Sequence, residues 1–153
     1  MIAGIELFNL KGKRALITGS SQGIGYALAK GLDQAGAEII LNGRDKEKLD
    51  NSAKALEANQ KLFQLSFDVT DYKATEEAIN NFESQFGGIN ILINNAGMQH
   101  RSQLEDFPPE MFEQLMRTNV SSVFNVSQVM AKHMIKRGSG KIINIASVQT
   151  SLA

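Results

Sequence analysis

The sequence predicts a doubly wound α/β fold, a parallel β-sheet with helices on both faces, and three observations predict it. Short apolar runs of strand length alternate with amphipathic segments of helix length. The first run, Ala15 to Ile17, stops at Gly19 and is followed by Gly23, Gly25 and a helical pattern, a strand–turn–helix order. The alternation continues five strands deep with no internal repeat. At 153 residues, one domain (1–153) with one core is the expectation.

Residues Met1 to Lys13 form a lead-in, with Leu7, Phe8 and Leu10 available to pin it down. Strand one is expected over Arg14 to Thr18. The helix after the glycines runs to about Ala35, its Ile24, Leu28 and Leu32 recurring at helical spacing, and Gly36 is its stop. Ile39-Ile40-Leu41 is the centre of a buried second strand. Asp45 is placed to cap a helix whose Leu49, Ala53 and Leu56 share a face. Leu62 to Phe67 alternates as strand three. A helix with Ala78, Ile79, Phe82 and Phe86 inward ends at Gly87-Gly88, and Ile89 to Ile93 is strand four. Pro108-Pro109 opens a long helix to about Lys136, proline being tolerated in a first turn. Lys141 to Ala146 is strand five. Right-handed crossovers then give the strand order 3-2-1-4-5 in a three-layer αβα sandwich.

Composition narrows the partners. Sixteen basic and sixteen acidic residues cancel, so no overall field points to nucleic acid or a membrane surface. The absence of cysteine rules out disulfides and thiolate metal sites. No apolar run has membrane-spanning length, and the N-terminus lacks a signal-peptide layout, so a soluble, cytoplasmic chain is expected. His100 and His133 have no metal-ligand partner at helical spacing, and no metal is assigned. His133 is expected on the solvated side of its helix, and His100 near a ligand cleft.

The glycine loop carries the first chemistry. Gly19 allows a sharp turn off the strand, Gly23 lets backbone N–H groups approach a diphosphate, and Gly25 lets the helix sit close. The helix N-terminus adds unpaired N–H groups and a positive dipole end. Thr18 followed by Gly-x-x-x-Gly-x-Gly resembles the fingerprint of the short-chain dehydrogenase/reductase family. Asn94-Asn95-Ala96-Gly97 matches that family's second signature letter for letter. The resemblance implies a Rossmann-like fold and an NAD(P) site formed by Gly19, Ser20, Ser21, Gly23, Ile24, Gly25, Asp68, Val69, Asn95, Ala96 and Gly97. At the end of strand two stands Arg44, where an acidic residue would favour NAD. A guanidinium there suits the 2′-phosphate of NADP, with a solvated surface arginine, or one paired to Asp45 or Glu47, as the plain alternative. Asp68 is implied to meet the adenine, or else serves as a turn residue or helix cap.

Asn119 stands on the apolar stripe of Phe112, Leu115, Met116, Val123, Met130 and Met134. A buried amide there needs a partner. It coincides with the family's catalytic asparagine, which the resemblance makes the holder of a relay water. Ser147 corresponds to the serine that steadies the reacting substrate oxygen. The segments Ile40–Arg44, Asn94–Arg101 and Ser147–Gln149 are similar to the branch of the family that interconverts D-gluconate and 5-keto-D-gluconate with NADP(H). Gln99, Arg101, Ser147 and Gln149 would then face a carboxylated polyol, while Thr150-Ser151 departs from the acidic pair of that branch. A 3-oxoacyl-carrier-protein reductase would share every cofactor motif. The family's Tyr-x-x-x-Lys motif lies beyond its serine, whereas this sequence ends at Ala153 and its tyrosines are Tyr26 and Tyr72. A fragment is therefore expected, with strand five an unpaired edge and with the homo-oligomer surface of full-length relatives outside it. A nucleotide-binding module without turnover is the competing reading.

Overall fold

In a computed structural model, residues 4–147 are described, and they form a five-stranded parallel sheet flanked by helices. The strands are β1 (Arg14–Ile17), β2 (Glu38–Gly43), β3 (Leu62–Ser66), β4 (Ile91–Asn94) and β5 (Lys141–Asn144). They lie in the order 3-2-1-4-5, as the alternation predicted, with Ile17 beside Leu41 on one side and Ile93 on the other. The helices are α1 (Gly23–Gln34), α2 (Lys46–Leu56), α3 (Tyr72–Phe86), α4 (Pro109–Met116) and α5 (Ser122–Arg137).

The two-residue period of the strands divides the core between the two faces. Ala15, Ile17, Ile39, Leu41, Ile91 and Ile93 point to one side, against Ala29 of α1 and Leu49 and Leu56 of α2. Leu16, Ile40 and Leu92 point to the other, against Ile79 and Phe82 of α3 and Val126, Val129 and Met130 of α5. Each such fully buried aliphatic side chain contributes about 1.5–3 kcal/mol. Phe86 is half exposed yet stacks on Phe63 and Phe82 at centroid distances of 5.0 and 5.1 Å.

Several expectations are corrected. The face of α1 against the sheet is Gly25, Ala29 and Asp33, small enough for close approach, while Ile24 is 68% exposed because it turns into a cavity. In the lead-in Leu10 packs on the core, whereas Leu7 and Phe8 are exposed. The long helix is interrupted: Arg117–Ser121 forms a π-turn between α4 and α5. Its apolar stripe is buried from Val126 onward, whereas Phe112, Met116, Val120 and Phe124 lie open. The strand at this end, β5, pairs with β4 and is exposed along its length. His133 is not on the solvated side. Its Nε2 lies 2.7 Å from Asn80 Oδ1 and its Nδ1 3.0 Å from Glu83 Oε2, joining α5 to α3.

Asp33 explains how α1 holds the α2–β3 connection. Its carboxylate accepts from Asn59 N, Asn59 Nδ2 and Gln60 N at 3.0, 2.6 and 2.9 Å. Burial pushes this carboxyl up, but the three donors outweigh it and hold it below the usual range. A depressed folded-state pKa means stability that is fully present above the unfolded carboxylate range and is lost as pH falls through the folded value. Asp33→Asn is expected to cost about 1–2 kcal/mol at pH 7, because an amide offers these donors one oxygen instead of two. The same substitution flattens the decline of the urea midpoint below about pH 4. An unchanged acid limb would show that Asp33 does not govern it.

Candidate functional site

The carboxyl ends of the strands are knitted together by short polar side chains. Thr18 Oγ1 accepts from the backbone N–H groups of Asn95 and Ala96, each at 3.0 Å, joining the end of β1 to that of β4. Asn95 returns the contact, its amide donating to Thr18 O and Gly19 O at 3.0 and 3.1 Å. Asn42, at the end of β2, donates to Leu65 O and Phe67 O and accepts from Gly19 N. Asn94 donates to Ser127 Oγ and Asn144 Oδ1, reaching α5 and β5. Among the described residues no buried side-chain nitrogen or oxygen lacks a partner. A polar seam inside a low-dielectric core is tolerated only under that condition.

Above this seam lies a cavity of about 520 Å³. Its wall includes Gly19, Ser21, Gly23 and Ile24 of the glycine loop, Arg44, Asp68 and Val69 beyond the neighbouring strands, and Asn95, Ala96 and Gly97 after β4. Gln22 precedes α1 without a side-chain cap, so the first-turn N–H groups remain available to a ligand. A Cβ built on Gly23, whose φ is +60°, meets nothing within 4 Å, which leaves open space above the backbone there. These features fit a diphosphate.

Two residues expected here do not reach the wall. Ser20 is fully buried behind the loop: its hydroxyl donates to Ile17 O at 2.8 Å and accepts from Asn42 N, and its own N–H donates to Asn42 O. Gly25 faces inward, where a Cβ would meet Asn95 Nδ2 at 2.5 Å and Gly19 O at 2.6 Å. Arg44, 77% exposed, pairs with neither Asp45 nor Glu47 but lies 3.7 Å from Asp68. The other Asp68 oxygen accepts from Thr70 N and Oγ1 at 2.8 and 2.7 Å. Burial raises the Asp68 carboxyl, while Thr70 and the Arg44 guanidinium lower it more. Helix capping is left to Asp71, which accepts from Ala74 N.

A second cavity, of about 630 Å³, opens beside the first and shares Ile24, Asn95, Ala96, Gly97 and Met98 with it. Gln99, His100, Arg101, Asn119 and Ser147 line it. The His100 ring stands edge-on to Phe107 at 5.3 Å. Gln149 lies outside the described residues. The amide of Asn119 is committed in a way its place on the apolar stripe did not reveal. Its Oδ1 accepts from Met98 N at 2.9 Å and its Nδ2 donates to Met98 O at 3.0 Å, and the residue is exposed rather than buried. This side chain therefore clamps the loop after β4 onto the π-turn.

The family profile described as short chain dehydrogenase matches residues 13–153. The chain belongs to this short-chain dehydrogenase family. Among family members it is 52% identical over 149 residues to the gluconate 5-dehydrogenase of Gluconobacter oxydans (strain 621H), covering 97% of this chain and 58% of that protein. It is 39% identical over 148 residues to the 5-keto-D-gluconate 5-reductase of Escherichia coli (strain K12), covering 96% and 58%. The chain thus spans about 58% of the length of these curated relatives. A gluconate 5-dehydrogenase from Burkholderia cenocepacia, solved with NADP and tartrate, superposes with a TM-score of 0.92 at 48% identity, over 97% of this chain and 59% of that one. The L-sorbose reductase of Gluconobacter frateurii, solved with NADPH and L-sorbose, gives 0.85 at 31% identity, over 92% and 54%.

Sequence reasoning singled out neither Lys48 nor Gln114 nor Thr118. Lys48 lines the first cavity from α2, and Gln114 and Thr118 line it from the end of α4 and the π-turn. The Lys48 signal was present, since it lies four residues after Arg44, within reach of the same strand end.

Proposed function

We propose that the chain binds NADP(H) in the first cavity and a sugar acid in the second, as an oxidoreductase interconverting D-gluconate and 5-keto-D-gluconate. The observation that carries this reading is the wall shared by the two cavities at Asn95, Ala96, Gly97 and Met98. A ligand spanning the first cavity would present one end to whatever fills the second. The names of the Gluconobacter oxydans and Escherichia coli relatives support the substrate, and the NADP complex of the Burkholderia relative supports the cofactor.

In this reading the N–H groups of the loop and of α1 hold the pyrophosphate, Asp68 and Val69 flank the adenine, and Arg44 takes the 2′-phosphate. Bound NADP(H) supplies or accepts the hydride. Ser147 steadies the reacting oxygen, Arg101 suits the substrate carboxylate, and Gln99 is a polar contact to its hydroxyls. Asn119 fixes the loop that forms the shared wall. A second reading, cofactor binding without turnover, is favoured by one observation: the two tyrosines of these 153 residues, Tyr26 and Tyr72, line neither cavity.

Titration of the purified chain, followed by cofactor fluorescence, tests the binding. NADPH is expected to bind more tightly than NADH, and Arg44→Gln to weaken NADPH about tenfold while leaving NADH unchanged. A folded sample with no affinity for either cofactor would refute the proposal. NADPH oxidation at 340 nm upon adding 5-keto-D-gluconate separates the readings: turnover supports the oxidoreductase, and binding with no absorbance change supports the second.

A further inference from the structure

Among the described residues, four carry the charge on the wall of the first cavity, Arg44, Asp45, Lys48 and Asp68. Arg44 alone would face two carboxylates there. One of them, Asp68, is already 3.7 Å from its guanidinium, and the other, Asp45, is the N-cap of α2. That set carries an excess negative charge and would repel a phosphate monoester dianion. Lys48 removes the excess. Its Nζ lies 3.8 Å from Asp45 Oδ2 while its own N–H donates to Asp45 Oδ1 at 3.0 Å.

We infer that Lys48 is the second 2′-phosphate-selecting cation of this site, acting with Arg44. The inference rests on the NADP reading above. The ammonium neutralises Asp45 in the free chain and swings to the phosphate when NADP(H) binds. Its side chain is 66% exposed, so it has the freedom to do so. The turn that carries it is held in register with the glycine loop by Ser52, whose hydroxyl lies 2.5 Å from Ser21 O and 2.7 Å from Lys48 O. Ser21 lines the same cavity and offers a hydroxyl donor.

The test compares NADPH and NADH dissociation constants for the wild-type chain, Lys48→Gln, Lys48→Arg, Asp45→Asn and Arg44→Gln, with circular dichroism melts to verify folding. Lys48→Gln is expected to raise the NADPH constant about tenfold and the NADH constant less than about twofold, an exposed charge-assisted contact being partly screened. Lys48→Arg restores NADPH affinity, since charge and not shape is required. Asp45→Asn keeps a capping oxygen but removes the opposing charge, and NADPH binds several-fold more tightly. If Lys48→Gln leaves the NADPH-to-NADH ratio of dissociation constants unchanged while Arg44→Gln raises it, the inference is overturned and the NADP reading stands. If neither substitution moves the ratio, both are overturned.

Discussion

Gly25→Ala is expected to abolish NADPH binding and to lower the melting temperature by roughly 2–12 °C, from an overpacking cost of about 1–3 kcal/mol. The added methyl would sit 2.6 Å from Gly19 O and 2.9 Å from Ser20 Cα, both backbone atoms of the loop, and 2.5 Å from the Asn95 amide. No flexible side-chain tip can move aside for the two backbone atoms. The loop must shift, and it carries the hydrogen bonds of Asn95 to Thr18 O and Gly19 O with it. The informative control is Gly23→Ala. That position has φ +60° and open space around a built Cβ, so only the left-handed strain of about 1–2 kcal/mol applies. Its methyl would instead project over the surface proposed for the diphosphate. Gly23→Ala should therefore lose affinity with a smaller loss of stability. Equal melting temperatures for wild type and Gly25→Ala would show that the helix is free to retreat, contrary to the packing described.

Thr18→Val is the second large effect. The substitution preserves volume but removes the oxygen that accepts from Asn95 N and Ala96 N. Two donors lose their partner in a region where Thr18 itself is 2% exposed. Each unsatisfied donor costs about 1–3 kcal/mol, reduced where water can reach the half-buried Asn95 and Ala96. A total near 2–3 kcal/mol, or roughly 4–12 °C in melting temperature, is expected. NADPH affinity should fall by more than about tenfold, because the lost bonds position the wall shared by the two cavities. Thr18→Ser keeps the hydroxyl and should stay close to wild type in both measurements. If valine and serine behave alike, the hydroxyl does not hold β1 to β4 and the account of the seam fails.

Both residues were visible in the sequence as members of one glycine fingerprint, but with different degrees of meaning. The role of Gly25 as a close-approach position followed from its place where a helix starts. The role of Thr18 did not, because its partners lie 77 and 78 residues further along the chain. Asn119 shows the same divide. Its spacing from Leu115 and Val123 placed it on the inner stripe, yet the amide is spent on the backbone of Met98, and a π-turn re-aims it. Ser20 and Ser21 are adjacent and chemically identical, and one turns into the core as a strut while the other lines the cavity. His133 was expected on the solvated side of its helix, but α3 brings Asn80 and Glu83 against it.

By itself the sequence determined what is local. Runs of two-residue and 3.6-residue period, the glycine turn after β1 and the cap at Asp45 set five strands, their helices and the order 3-2-1-4-5, because crossover handedness leaves few alternatives. Only the tertiary structure decided which of those residues meet. Hydrogen bonds across strand ends, and the balance of charge among Arg44, Asp45, Lys48 and Asp68, depend on distances of a few ångströms between segments far apart in the chain. Periodicity fixes the face a side chain leaves from, and packing fixes what it finds there.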